Sequence, residues 1–168
     1  MQKLYKALKE RALQSGANKA VIIETSQIVF DPRSFLKCRF GCKRWGNYWT
    51  CPPNLSLSQE QFLEAFNCYQ YAIIIQASDP LLSQQVSLEV EKQAMLTWNC
   101  HYAFALVLCV QCEECAYPEP CRYPHLARPA MDAFGVDIGK TAQNVSLEVE
   151  FDKDGQLLPC WYSMVLIQ

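Results

Sequence analysis

Seven of the ten cysteines in this 168-residue chain lie in two short stretches, and this constrains the molecule more than any other feature of the sequence. The first stretch reads Cys38-x3-Cys42-x8-Cys51, followed by Pro52 and Pro53. The second reads Cys109-x2-Cys112-x2-Cys115-x5-Cys121. A scattered cysteine behaves as a small hydrophobe, and core packing is the expectation for Cys68, Cys100 and Cys160. Packing does not explain seven thiols concentrated in two loops. A disulfide framework needs an oxidising compartment. The opening residues Met1 to Lys6 lack the apolar core of a secretory signal, and no run of 18 apolar residues suggests a membrane span. We therefore expect a cytoplasmic protein whose thiols serve metal binding or redox chemistry.

The second stretch carries the stronger signal. Its first three spacings match the bacterial ferredoxin run, in which two-residue gaps let the backbone wrap a cubane and aim N–H groups at its sulfurs. Its fourth gap is longer than the ferredoxin one, and Pro124 lies three residues beyond Cys121. The first stretch supplies three thiols, one short of closing a tetrahedral site. A fourth ligand from elsewhere would close it, and an open position would admit a substrate. One centre drawing on both loops and two neighbouring centres are both compatible with the spacing. Thiolate softness and spacing favour an iron–sulfur cluster of the 4Fe-4S type. The alternative is zinc, with Cys112-x2-Cys115 paired to Cys38-x3-Cys42, as in structural sites built from two knuckles. That pairing leaves Cys51, Cys109 and Cys121 without a role. A third reading is thiol-based redox sensing without stable metal, which needs exposed thiols of low pKa.

Cations accompany both stretches. Arg39, Lys43 and Arg44 surround Cys42, while Arg122 and Arg128 follow Cys121. Positive charge lowers thiol pKa and offsets the negative charge of a cluster. Arg39, Arg122 and Arg128 are the candidate residues for holding a cofactor or an anionic substrate. A solvated basic loop is the plainer account of the same residues. Trp45, Tyr48 and Trp49 either shield a centre from water or belong to the core. His125 is a possible zinc ligand, although a structural role suits it and His101 better. The motifs of phosphate-binding loops, zinc proteases and serine hydrolases are absent, and no catalytic residue is identified.

The rest of the chain reads as one domain over 1–168. Half of its residues are hydrophobic, enough for a sizeable core, and the formal net charge of −2 gives no general attraction to nucleic acid or anionic membrane. Helical periodicity covers about 2–15. A capping box at Ser58 to Gln61 starts a helix through Phe62, Phe66 and Tyr69. Asp79 and Pro80 start a longer helix, with Leu82, Val86, Val90, Ala94 and Trp98 facing the core. Strands are expected at 20–23, 71–75 and 103–108. A hairpin is expected from 146–151 and 161–167, turning at Asp154-Gly155. Residues 28–30 either extend the first strand or turn back. A short helix ending at Gly135 is expected in 124–135. The pattern predicts an α/β or α+β fold: a mixed sheet, helices packed on it, and two long cysteine-bearing loops at the sheet edge. The helix between the strands at 71–75 and 103–108 suggests a parallel crossover.

Cys38-Arg39-Phe40-Gly41-Cys42, then Gly46-Asn47-Tyr48-Trp49-Thr50-Cys51-Pro52-Pro53, resemble the signature of a prokaryotic family, domain of unknown function 2284, described as predicted metal-binding proteins. Cys112-Glu113-Glu114-Cys115, Pro120-Cys121-Arg122-Tyr123-Pro124 and the run from Arg128 to Ile138 resemble it too. The family often has Ser and Glu at the places of Ala130 and Asp132, and Tyr at that of Trp45. The resemblance implies metal binding and brings no established reaction. The expected partners are a redox partner protein or a small-molecule substrate, with no nucleic acid and no membrane.

Overall fold

The computed structural model describes residues 1–147, 153 and 160–167. Four strands make one sheet: β1 (Lys19–Glu24), β2 (Tyr71–Ala77), β3 (Phe104–Leu106) and β4 (Trp161–Ile167). Their spatial order is β1-β2-β4-β3. Every pairing among these strands is antiparallel, with Ile73 opposite both Ile22 and Val165, and Val165 also opposite Ala105. The α+β class agrees with the sequence reading, but the expected mixed sheet is antiparallel. The reason lies in β4, which inserts between β2 and β3. Those two strands point the same way and are joined by a long helix, yet they do not bond each other. The other arm of the expected hairpin, 148–151, and its turn lie outside the described residues.

Both faces of the sheet are covered, so β2 reads as an apolar run from Tyr71 to Ile75 even though its neighbours are antiparallel. Such runs more often mark parallel strands. Alternate side chains serve opposite faces. On one face Ile73, Ile75, Val165 and Ile167 meet Leu8 and Ala12 of α1 (Gln2–Gln14) and Val86, Val90 and Ala94 of α4 (Pro80–Trp98). On the other face Ala72, Ile74, Met164 and Leu166 meet Phe62 and Phe66 of α3 (Gln59–Phe66) and the 3-10 helix Met131–Phe134. Phe62 and Phe134 stack with ring centroids 3.9 Å apart. Fully burying one such side chain contributes about 1.5–3 kcal/mol.

The caps form as their residues predict. Ser58 Oγ accepts from the Gln61 N–H at 3.2 Å, and Gln61 Oε1 accepts from the Ser58 N–H at 2.9 Å. Asp79 Oδ1 accepts from the Leu82 N–H at 2.9 Å. Gly135 ends the 3-10 helix at φ +88, where a Cβ would come within 2.7 Å of Gln59 Nε2. The helix expected in 124–135 is thus confined to its last residues.

Two helices escape the sequence pattern. α2 (Ser34–Gly41) buries none of its residues, so it has no apolar stripe to reveal it. α5 (Ile138–Asn144) is only seven residues long, capped by Asp137. After β1, a tight turn at Thr25–Gln27 sends the chain back. Asp31 N donates to Gly135 O and Asp137 N donates to Val29 O, both at 2.8 Å. β1 and β3 therefore run in opposite directions, and strand direction alone does not bring the two cysteine loops together. The returning segment does so instead, because it carries α2 against the 3-10 helix. Among the described residues, no helix is long and apolar enough to cross a membrane.

Candidate metal centre

The second cysteine loop springs directly from β3 and is pinned at its base. Val107 N donates to Pro129 O at 2.8 Å, which closes the loop. Gln84, a fully buried residue of α4, accepts from Val110 N at 2.8 Å and donates to Leu126 O at 3.1 Å. One amide thus satisfies both ends of the loop. Seven residues along the same helix, buried Glu91 pairs with Arg128 at 2.9 Å and accepts from Ala105 N at 3.3 Å. Ser87 between them donates to Ser163 Oγ at 2.7 Å. This polar stripe on α4 lies beside the apolar face that periodicity identifies.

Within the loop, Cys109, Cys112, Cys115 and Cys121 line one cavity of about 20 Å³. Tyr48, Trp49 and Thr50 of the first loop complete its wall. Cys38, on α2, and Cys42, at its C-terminal end, line a second cavity of about 40 Å³ together with Cys51. Arg44, Trp45 and Asp132 share that second wall. The seven thiols are therefore sorted four and three into separate cavities. The pairing of Cys38 and Cys42 with Cys112 and Cys115 is not brought together.

The two cavities are stitched to each other. Arg44 Nη1 donates to Cys109 O at 2.7 Å, and Trp49 Nε1 donates to Glu119 O at 2.8 Å. The Trp49 ring also meets Tyr117 edge-on, with centroids 5.0 Å apart. The aromatic residues between the cysteines serve as cavity walls and loop-to-loop contacts.

The electrostatics of the three-thiol cavity are distinctive. Cys38 Sγ donates to Asp132 Oδ2 at 3.9 Å. Burial pushes the Cys51 thiol up to about 12. Burial, reinforced by the negative charge of Asp132, pushes Cys38 up to about 11. Burial also raises the Asp132 carboxyl, opposed by backbone N–H groups at Asp132 and Ala133. Buried thiols of this kind stay protonated until a cation replaces the proton. Three thiols with a carboxylate, and four thiols alone, are donor sets suited to a metal. Among the described residues, no three His, Cys, Asp or Glu side chains are already arranged so as to hold a metal ion.

The three singled-out arginines have different surroundings. Arg39 lies over the Trp45 ring at 5.3 Å. Arg122 lines the four-thiol cavity and donates to Glu114 O at 3.0 Å. Arg128 is held by Glu91 and lies over Phe104 at 5.4 Å, bracing the base of the loop. Among the described residues no cysteine is in a disulfide. Cys100 is core, as expected, Cys160 is half-buried, and Cys68 is exposed rather than packed. His125 lines a groove along α4 with Arg128, apart from the thiols. Sequence reasoning missed Asp132 and the linking role of Arg44. Their only signal was an acid in the first turn of a short helix and a cation amid the cysteines.

A family model described as "Predicted metal-binding protein (DUF2284)" matches residues 21–167. Comparisons with curated proteins and with solved structures found no match.

Proposed function

The chain belongs to this family of predicted metal-binding proteins, and on that premise we propose that it is an iron–sulfur protein with two neighbouring centres. Cys109, Cys112, Cys115 and Cys121 hold the first, of the 4Fe-4S type, and Cys38, Cys42 and Cys51 hold the second. The observation that carries this reading is the sorting of seven thiols into two cavities joined by Arg44. The ferredoxin-like spacing of the first three thiols in the longer motif supports iron over zinc.

The bound clusters would supply one-electron redox chemistry. The protein's own residues do the rest. Four thiolates saturate the first centre, which suits it to passing electrons. Three thiolates leave a position at the second for a different ligand, which suits it to a small substrate. Tyr48 and Trp49 on one wall and Trp45 on the other restrict water, a determinant of cluster potential. Arg44 and Arg122 offset the negative charge that thiolates and clusters carry. A reducing compartment such as the cytoplasm and a redox partner protein complete the proposal.

Anaerobic purification tests it. A brown protein with broad absorbance near about 400 nm is expected of thiolate-ligated clusters. A colourless protein containing only zinc would contradict it.

A further inference from the structure

We infer that the Asp132 carboxylate is the fourth ligand of the three-thiol centre, and the ligand that gives way when a small anion binds there. The inference rests on the iron–sulfur reading and specifies the chemistry of its second site. Asp132 lines the same cavity as Cys38, Cys42 and Cys51, and its Oδ2 lies 3.9 Å from Cys38 Sγ. These groups come from three separate segments: α2, the loop after it, and the 3-10 helix Met131–Phe134, with Asp132 94 chain positions from Cys38. The helix is held in place by the stacked rings of Phe62 and Phe134 and by the turn at Gly135. The carboxylate is therefore delivered to the thiols by the core of the protein.

The donor types set the order of exchange. Iron in a cluster prefers soft thiolate sulfur, and a carboxylate oxygen is the harder, weaker-bound donor. With a cluster bound, Asp132 would be the residue that yields its position, while Cys38, Cys42 and Cys51 would keep the cluster in place. Arg44, on the same cavity wall, favours an incoming anion over a neutral or cationic ligand. The site thus selects a small anion with a soft donor atom.

Cyanide, a small soft anion, is the probe. Protein is purified anaerobically, its iron and sulfide are counted, and electron paramagnetic resonance of the reduced form is recorded with and without cyanide. The expected result is a cyanide-dependent change in one signal of the natural protein. Asp132→Cys supplies a fourth thiolate and should weaken the apparent cyanide affinity by at least about tenfold. Asp132→Asn, a poorer ligand, should strengthen it. Iron-replete natural protein that ignores cyanide overturns the inference and leaves the iron–sulfur reading intact, and so does an unchanged response in Asp132→Cys. Protein without iron overturns both. The response of the natural protein requires no variant, so a folding failure in either substitution does not shelter the inference.

Discussion

Arg44 and Cys109 tie the two cysteine loops together: Nη1 of Arg44 donates to the Cys109 carbonyl oxygen at 2.7 Å. The same guanidinium lies over the Tyr48 ring, 4.3 Å from its centroid. A half-buried, charge-assisted hydrogen bond contributes about 1.5–3 kcal/mol. Arg44→Ala should therefore separate the loops and speed metal loss from both centres. Arg44→Lys keeps the charge but lacks the planar fork and should give an intermediate rate. Release of iron to a coloured chelator measures this, and equal rates in all three proteins would remove Arg44 as the link.

Gln84 should prove as important to the four-thiol centre as a residue within its loop. Gln84→Met keeps the volume and removes both hydrogen bonds, leaving the Val110 N–H and the Leu126 carbonyl without the partner they have. Each buried group so stranded costs about 1–3 kcal/mol. The expected outcome is a lower denaturation midpoint and faster loss of metal from the four-thiol centre, with the three-thiol centre little changed.

Arg128 is expected to act through the fold. Its ion pair with Glu91 is buried on both sides, with 17% and 6% side-chain exposure. Arg128→Ala leaves Glu91 as an uncompensated buried charge, and breaking such pairs costs about 3–5 kcal/mol. Denaturant titration should show that loss. The double variant Arg128→Met with Glu91→Leu should recover much of it, which a role in holding an anion does not predict.

The raised thiols give a pH signature. Cys38 and Cys51 sit near about 11 and about 12 in the folded metal-free protein, above the ordinary value of about 8.5 that they regain on unfolding. Their contribution to stability is fully present below that ordinary value. It is lost as pH rises through the folded values, because the unfolded chain ionises first. Metal-free protein should lose stability between about pH 8.5 and about 12. Loaded protein should not show this loss, since its thiols have already given up their protons. Thermal unfolding of both forms across this range checks the difference.

Much of the fold was legible because it follows periodicity and caps. The helix after Ser58, the helix after Asp79 and the strand at Tyr71–Ala77 all announce themselves. The sheet's direction was not legible, since β2 is apolar on both sides and helices cover both faces. α2 escaped because none of its residues is fully buried. In the site, cysteine spacing separates the two loops but says nothing of what joins them. Asp132 and Arg44 reach the thiols through tertiary contacts: one by way of the 3-10 helix packed on the sheet, the other across a hydrogen bond spanning 65 positions. Gln84 is hidden for a further reason, because a buried amide on a helix carries no periodic signal.

The most direct test of the two-centre arrangement is a count of iron and acid-labile sulfide per chain, made anaerobically on the natural protein, Cys112→Ala and Cys38→Ala. Two clusters of the 4Fe-4S type require about eight of each in the natural protein and about half in either variant, with Cys68→Ala unchanged. Complete loss of iron from each single variant that stays folded, or the same full count in all four proteins, would contradict two independent centres.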